Sequence, residues 1–136
     1  MFLVDSSAWI EYLRPRGNAG IKARVRDLLE KDEAAVCGIV ITEILRGVRE
    51  DAAYEALRGM LSALPCLPLS DAVFVRAAQW GRRLQRAGKT LPTTDLLIGA
   101  AAYGHVPVLH ADADFVLLAS STGLKQEFLK GDRVSP

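Results

Sequence analysis

Short apolar runs alternate with longer segments of helical periodicity along this chain, and this alternation constrains the fold more than any other feature. The strand candidates are residues 2–4, 34–37, 65–69 and 106–109, with residues 128–129 as part of a last one. Between them, apolar side chains recur three and four residues apart, which is the spacing of one helix face. Strands that alternate with helical segments of about ten residues or more predict an α/β sandwich with a mainly parallel central sheet.

Capping residues and glycines indicate where helices begin and end. Ser70 is the expected cap of a long helix that ends at Gly88. Residues 96–104 are apolar on every side, so their helix is expected in the core. Pro65 and Pro68 place the third strand at an edge of the sheet. The other helix candidates begin after residue 5 and cover residues 21–29, 39–47 and 54–64.

Size and charge limit the classes of function that remain open. With 136 residues, half of them apolar, the chain is expected to form a single domain over residues 1–136. The 17 basic and 16 acidic residues leave a net charge of +1, so no overall field holds the protein on nucleic acid or on an anionic membrane. Any binding to RNA must therefore use a local patch.

The cysteines and the amino-terminal segment point to a cytoplasmic protein. Cys37 and Cys66 have no metal-ligand spacing and are too few for a secreted disulfide scaffold, so two reduced, buried thiols are expected. The first residues have no basic segment ahead of their apolar run, unlike a secretory signal. No apolar stretch reaches the roughly 20 residues that a membrane-spanning helix needs. We therefore expect no membrane association.

Five acidic residues occupy positions where carboxylates are unusual. Asp5 follows the first strand directly, and Asp112 and Asp114 follow the strand at 106–109 across a short HADAD turn. Asp95 begins the buried helix, and Glu43 interrupts an otherwise apolar helical surface. In parallel sheets, ligands bind outside the carboxyl ends of the strands. The acids are therefore expected to gather at this functional edge.

Each acid also has a structural explanation. Asp5 and Asp95 could be helix-start charges that the helix dipole stabilises. Glu43 could form an ion pair with Arg46, worth only about 0.2–0.5 kcal/mol. Asp112 and Asp114 could be turn residues. A shared cation nevertheless explains all of these positions together, which favours a metal site.

The candidate ligands are all carboxylate oxygens, and no histidine or cysteine has ligand spacing. Such a set selects a hard ion, Mg²⁺ or Mn²⁺, over zinc. Carboxylates in one cluster repel one another, so a cation is needed to offset their charge at neutral pH. Such an ion can take a phosphate oxygen and orient a water molecule for in-line attack on a phosphodiester. The acids therefore indicate metal-dependent phosphodiester hydrolysis.

Four segments in this order and spacing resemble one known family. They are VDSSAWIEYL at 4–13, TEILRG at 42–47, LPTTDLLIGAAA at 91–102 and VLHADADF at 108–115. With them the chain resembles the PIN-domain ribonucleases and, among these, the VapC toxins of toxin-antitoxin pairs. The resemblance implies a PIN-like three-layer sandwich, an Mg²⁺-dependent endoribonuclease, a homodimer and silencing by a cognate VapB-like antitoxin whose tail enters the acidic site.

The resemblance also assigns roles to the acids. It implies that Asp5, Glu43, Asp95 and Asp112 are catalytic. The metal ligands would be Asp5, Asp95 and Asp112, with Asp114 as a secondary ligand.

Hydroxyl and imidazole groups flank these acids. Ser6 and Thr94 could orient carboxylates or water, or cap helices, and capping is the favoured role for Thr94. His110 occupies a position where many relatives place a small hydroxyl residue, and the default is a neutral histidine without a catalytic role.

Cations are needed to hold the RNA. Arg14, Arg46 and Lys89 are the candidates from their positions next to the motifs, although any one of them could be ordinary solvated surface. Trp9 and Trp80 could stack on bases but have the spacing of core residues.

The alternatives to a toxin are a PIN nuclease of RNA processing or decay, an inert PIN-fold binding protein, and a phosphatase that uses Asp5 as a nucleophile. Retention of all four acids disfavours an inert protein, and the absence of a lysine partner disfavours the phosphatase. The apolar stripe of Tyr54, Leu57 and Leu61 is a candidate contact for a second copy or for the antitoxin.

Overall fold

The computed structural model describes residues 1–131 as a five-stranded parallel sheet surrounded by helices. The strands are β1 (Phe2–Val4), β2 (Ala34–Cys37), β3 (Cys66–Leu67), β4 (Val108–His110) and β5 (Gln126–Phe128). The helices are α1 (Ser6–Leu13), α2 (Ala19–Glu30), α3 (Gly38–Leu45), α4 (Asp51–Ser62), α5 (Asp71–Arg86), α6 (Thr93–Ala102) and α7 (Ala113–Thr122). The predicted α/β sandwich with a parallel sheet is confirmed.

The strand order β3-β2-β1-β4-β5 puts β1 at the centre of the sheet. Leu3 pairs with Ala35 of β2 on one side and with Val108 of β4 on the other. The chain runs outward from β1 to β2 and β3, and returns to the opposite side for β4 and β5. The order reverses between β1 and β4, and a crevice at such a reversal is where ligands bind in α/β sheets. The edge position predicted for the third strand is confirmed.

The sequence prediction was wrong at the start of β4 and for the segment after it. Val106 donates its backbone N–H to the carbonyl of Ala102 and so closes the end of α6, which delays β4 until Val108. The segment from residue 113 was interpreted as part of a turn, but it forms α7. Gly123, at a φ of 76°, ends this helix in the left-handed conformation that glycine adopts readily.

The core lies on both sides of the sheet and includes most of α6. Ile98, Ala100 and Ala102 of that helix are fully buried, as its apolar sequence predicts. A Cβ atom at Gly99 would come within 2.7 Å of a Leu118 methyl carbon, so glycine allows α6 and α7 to approach closely. Close packing of this kind supports the strand ends that α6 and α7 adjoin.

Both tryptophans belong to the core, whereas only one of the two cysteines does. Trp9 and Trp80 are buried, which confirms their interpretation as core residues. Cys37 is buried as expected, but Cys66 is exposed because it lies on the edge strand β3. The expectation of two buried thiols was therefore wrong for Cys66. Within residues 1–131, no helix is both long and apolar enough to cross a membrane.

Candidate metal centre at the carboxyl edge of the sheet

Two of the acids begin helices directly beyond the central strands. Asp5 follows β1 and caps α1, its Oδ2 accepting the Ser7 backbone N–H at 3.0 Å. Asp112 follows β4 and caps α7, its Oδ1 accepting the Asp114 N–H at 2.9 Å. Because β1 and β4 are parallel neighbours, both caps lie at the same edge of the sheet. The capping interpretation and the shared-site interpretation of Asp5 are therefore compatible.

Three carboxylates converge at this edge. One oxygen atom from each of Asp95, Asp112 and Asp114 lies within 4.8 Å of the other two. Asp95 is the third residue of α6 and Asp114 the second of α7, so the close packing of these two helices brings the oxygens together. The site is therefore built from the ends of separate elements rather than from one loop.

Asp5 adds a buried oxygen with no partner. Its side chain is only 2% exposed, and Oδ1 has no hydrogen-bond partner among the residues described. An unsatisfied buried carboxylate oxygen costs free energy unless a proton or a cation compensates it. Together with the three clustered acids, this orphaned oxygen fits a hard divalent ion, because every donor is a carboxylate.

Burial and repulsion from neighbouring carboxylates make Asp95 and Asp5 hard to ionise. Burial, and then the nearby Asp112 carboxylate, raises the pKa of Asp95 to about 7. Burial is also the main cause that raises the pKa of Asp5, and hydrogen bonds from Ser7 oppose it. Perturbed carboxyl groups that cluster in this way are characteristic of functional sites.

Glu43 joins the group from α3. It is half-buried, and its Oε1 accepts a hydrogen bond from Ser6 Oγ at 3.2 Å. Burial, followed by the charge of Asp5, raises the pKa of Glu43, while Arg46 has a smaller opposite effect. Within the described part of the chain, no ion pair joins Glu43 to Arg46, so Ser6 is the closer partner. The predicted orienting role of Ser6 thus has a contact to support it.

Ser7 is a residue of the site that the sequence analysis missed. Its Oγ donates to Asp5 Oδ2 at 2.6 Å and accepts the backbone N–H of Ala111 at 2.9 Å. One hydroxyl therefore connects the acid after β1 to the turn after β4. The signal available in the sequence was a serine two residues beyond Asp5, which was itself considered as a helix-start charge.

His110 supports the same turn from inside the protein. It is fully buried, and its Nδ1 accepts the Asp112 backbone N–H at 3.2 Å. Nε2 therefore carries the proton and donates to Gln126 Oε1 at 2.6 Å. The ring stacks on Phe128, and burial lowers the pKa of His110, which agrees with the expected neutral form. The ring thus positions the backbone that carries Asp112.

Thr94 does not have the favoured capping role. Pro92 is the N-cap of α6, without a side-chain hydrogen bond, and Thr94 lies within the first turn, one residue before Asp95. The capping interpretation was therefore wrong.

The three candidate cations differ in their relation to the acids. Arg14 is exposed, and its Nη1 lies 3.7 Å from Oε1 of Glu11. It lines the same depression as Glu43. Arg46 is near enough to Glu43 to influence its pKa. Lys89 is exposed beyond α5, and within residues 1–131 it forms no hydrogen bond or ion pair with the acids.

An apolar depression of about 680 Å³ adjoins Glu43. Ile10 and Leu13 of α1 and Leu57 and Met60 of α4 contribute to its walls. Leu57 belongs to the stripe predicted as a contact surface, but Leu61 is only 1% exposed and is part of the core. The predicted stripe is therefore only partly available at the surface.

Known proteins resemble this chain over nearly its whole length. The family model described as the PIN domain matches residues 2–120. VapC ribonuclease Mb1587 of Mycobacterium bovis is 38% identical over 130 residues, which cover 92% of this chain and 96% of that protein. Ribonuclease VapC11 of Mycobacterium tuberculosis has the same identity and coverage.

A solved structure shares the fold at much lower identity. VapBC2 from Rickettsia felis, bound to a DNA fragment from its promoter, matches with a TM-score of 0.75 and 16% identity. The match covers 95% of this chain and 98% of the other.

Proposed function

The chain belongs to the PIN-domain family, in the branch of the VapC ribonucleases, and from this premise we propose that it is a metal-dependent endoribonuclease that acts as a toxin. The observation that carries the proposal is the convergence of Asp95, Asp112 and Asp114 beside a buried, unsatisfied Asp5 oxygen. Carboxylates gathered at this cost to stability suit a cation far better than a purely structural role.

The proposed ion is Mg²⁺, with Mn²⁺ as an alternative, since all donors are carboxylate oxygens. Asp5, Asp95 and Asp112 would hold it, with Asp114 as a secondary ligand. When bound, such an ion supplies positive charge for a phosphate oxygen and lowers the pKa of an attacking water. Its charge would also return Asp95 to the ionised form at neutral pH, against the burial that raises the pKa of this residue to about 7.

The protein's own residues would place the groups around the scissile phosphodiester. Ser7 and His110 hold the backbone that carries Asp112 relative to Asp5. Ser6 holds the carboxylate of Glu43, whose raised pKa suits it to accept and release a proton. Arg14 lies on the wall shared with Glu43, where it could contact an RNA phosphate.

We propose a VapB-like antitoxin as the partner of this protein, a homodimer as its assembly and the cytoplasm as its location. The support for the partner is that similar folds occur in VapBC complexes, including two bound to DNA. The whole chain, residues 1–136, is proposed to act as a single PIN domain.

The chemistry is tested by incubating the purified protein with RNA and mapping the new RNA ends. Cleavage is expected with Mg²⁺ or Mn²⁺, loss with EDTA, and recovery when the metal is restored. Asp5→Asn is expected to abolish cleavage while circular dichroism shows an intact fold. Cleavage that survives EDTA, or full activity of Asp5→Asn, would contradict the metal mechanism.

Growth separates a toxin from the alternative, a PIN nuclease of RNA processing or decay. Brief expression in a host cell is expected to slow growth, and expression of Asp5→Asn at the same level is not. A host that tolerates a protein shown to cleave RNA would favour the processing nuclease. An inert binding protein would give neither cleavage nor growth arrest.

A further inference from the structure

Positive charge is concentrated along α5 and the segment after it. Between Asp71 and Asp95 the sequence contains no acidic residue, whereas it contains Arg76, Arg82, Arg83, Arg86 and Lys89. The whole chain has a net charge of only +1, and no acidic residue within this segment offsets its five cations. A local basic surface of this kind is what RNA binding requires in a nearly neutral protein.

Two of these arginines have structural roles. Arg76 donates to the carbonyl of Ala100 at 3.3 Å and lies over the ring of Tyr103. Arg83 donates to the carbonyl of Ser121 at 3.1 Å, near the end of α7. Both contacts complement the negative ends of neighbouring helices. These contacts account for the positions of Arg76 and Arg83, so neither arginine needs a bound ligand to explain it.

Arg82 and Arg86 have no such explanation. Both are exposed, and within residues 1–131 neither forms an ion pair or a side-chain hydrogen bond. They lie four residues apart on a helix and so project from the same face. Two unpaired guanidinium groups on one face form a surface that can bind phosphates.

The packing of α5 against α6 places the end of α5 beside the helix that carries Asp95. Arg76 contacts the end of α6 at Ala100, whereas Gly81 lies against Leu96 nearer its start. The two helices are therefore antiparallel, and the last turns of α5 lie beside the first turn of α6. Arg82 shares a depression of about 420 Å³ with Thr93, which is two residues before Asp95.

An exposed aromatic ring lies in the same depression. Phe74 is 48% exposed and lines the depression together with Arg82 and Gln85. A second depression, of about 200 Å³, is lined by Arg82, Gln85 and Arg86 and therefore adjoins the first. We call the combined surface of Phe74, Arg82, Gln85 and Arg86 the α5 trough. Proteins that bind single-stranded nucleic acid commonly combine arginines with exposed aromatic rings on one surface.

We propose that the α5 trough binds single-stranded RNA adjacent to the phosphodiester that the carboxylates cut. The inference rests on the proposed ribonuclease function and adds the surface over which the RNA backbone passes next to the acidic site. Arg82 and Arg86 would hold backbone phosphates, Phe74 would stack on a base, and Gln85 would offer a hydrogen bond. These contacts compensate for the repulsion between an RNA backbone and the acidic site.

The first test compares two variants that each lose two positive charges. Arg82→Gln/Arg86→Gln removes the cations of the trough, and the control Arg26→Gln/Lys125→Gln removes two exposed cations elsewhere. Binding of a fluorescein-labelled single-stranded RNA of about ten nucleotides is measured by anisotropy in EDTA over a range of salt concentrations.

The trough variant is expected to bind roughly tenfold more weakly at moderate salt. The slope of log affinity against log salt should fall by about 0.7 for each lost phosphate contact. The control should bind like the wild type. Equal affinity and slope for the trough variant and the wild type would overturn the proposal, as would tighter binding of an RNA duplex than of the single strand.

The second test concerns Phe74. Phe74→Ala is expected to weaken RNA binding about tenfold while leaving the salt slope unchanged, and Phe74→Tyr should restore the affinity because it keeps the stacking ring. Sedimentation equilibrium of the same variants shows whether the face instead holds a second copy of the chain. If Phe74→Ala changes the oligomeric state but not the RNA affinity per protomer, the trough is not an RNA surface.

Cleavage assays on the same proteins separate this inference from the proposed function. A wild-type protein that binds RNA through the trough but cuts none under any metal condition would refute the nuclease and leave the trough supported. A protein that cuts RNA with unchanged KM in Arg82→Gln/Arg86→Gln would support the nuclease and refute the trough.

Discussion

The carboxyl and amino edges of the sheet differ in whether their ionisable side chains are buried or exposed. At the carboxyl edge, Asp5 and Asp95 are buried among other acids, and Asp5 Oδ1 has no partner within the described residues. The opposite edge also has a depression, of about 350 Å³, lined in part by His105 and Lys125. Those two side chains are exposed, so solvent compensates their polarity. Both edges have a concave surface, but only the carboxyl edge holds ionisable groups at a cost.

Two histidines show the same contrast. His110 at the carboxyl edge is buried, with both ring nitrogens bonded and one of them holding the backbone of Asp112. His105 at the amino edge lies in an exposed turn after Gly104, whose φ of 79° allows the chain to reverse. A cavity alone therefore does not identify a site. Buried, mutually repelling groups with specific supports identify it better.

The largest effect of a substitution is expected at Asp95. Asp95→Asn is expected to lower the cleavage rate by roughly 10²–10³-fold or more, because it removes a charged metal ligand. In the absence of metal, the same substitution should raise the free energy of unfolding by on the order of 1–3 kcal/mol at pH 8, since it removes a buried charge. Cleavage assays and urea unfolding measure the two effects. A variant that loses both activity and stability would indicate a structural role instead.

The free energy of unfolding is expected to depend on pH because of the buried acids at the carboxyl edge. The pKa of Asp95 is about 7 in the folded protein, above its ordinary value of 3.8, so the folded state binds more protons between these values. Without metal, the free energy of unfolding should therefore fall as the pH rises from about 4 to about 7, by up to a few kcal/mol.

Saturating Mg²⁺ should remove most of that fall, because the cation replaces the proton in compensating the acids. Thermal unfolding at several pH values, with EDTA or with Mg²⁺, measures both trends. A Tm in EDTA that rises over this pH range, or one that Mg²⁺ leaves unchanged at pH 7, would contradict the electrostatic account of the site.

A smaller effect is expected at Ser7. Ser7→Ala leaves the Ala111 N–H without its acceptor and removes a hydrogen bond to Asp5, which should cost about 1–3 kcal/mol of stability. The rate of cleavage should also fall, because Asp112 is no longer held relative to Asp5. Ser120→Ala is the matched control, since the Ser120 hydroxyl donates only to a carbonyl within α7. Equal kcat values for the two variants would remove Ser7 from the positioning group.

The smallest effect is expected at the amino edge. His105→Asn and Lys125→Gln should each change the free energy of unfolding by less than about 0.5 kcal/mol, because both side chains are exposed. Cleavage should stay at the wild-type rate. A large loss of activity from either substitution would show that the amino edge contributes to function, contrary to the assignment of the site to the carboxyl edge.

Much of the fold could be predicted because its determinants are local. The limits of β1 and β2 follow from short apolar runs, and the start of α5 at Asp71 follows from the capping residue Ser70. Helix α7 was missed although Asp112 and Gly123 bracket it, because the paired aspartates of HADAD also suit a turn. Apolar periodicity placed Leu61 correctly on one helix face, but it could not tell a core face from a contact surface.

Local sequence patterns identify the carboxylates that follow strands or interrupt apolar helices, and the parallel order of the strands is enough to predict their common edge. The groups that support these carboxylates, in contrast, follow from the tertiary structure. Ala111 and Ser7 are joined by a hydrogen bond, as are His110 and Gln126, and Arg82 lines one depression together with Thr93; all of these residues are far apart in sequence or on different elements. Side-chain partners of this kind depend on the packing of whole helices and strands, which no local pattern encodes.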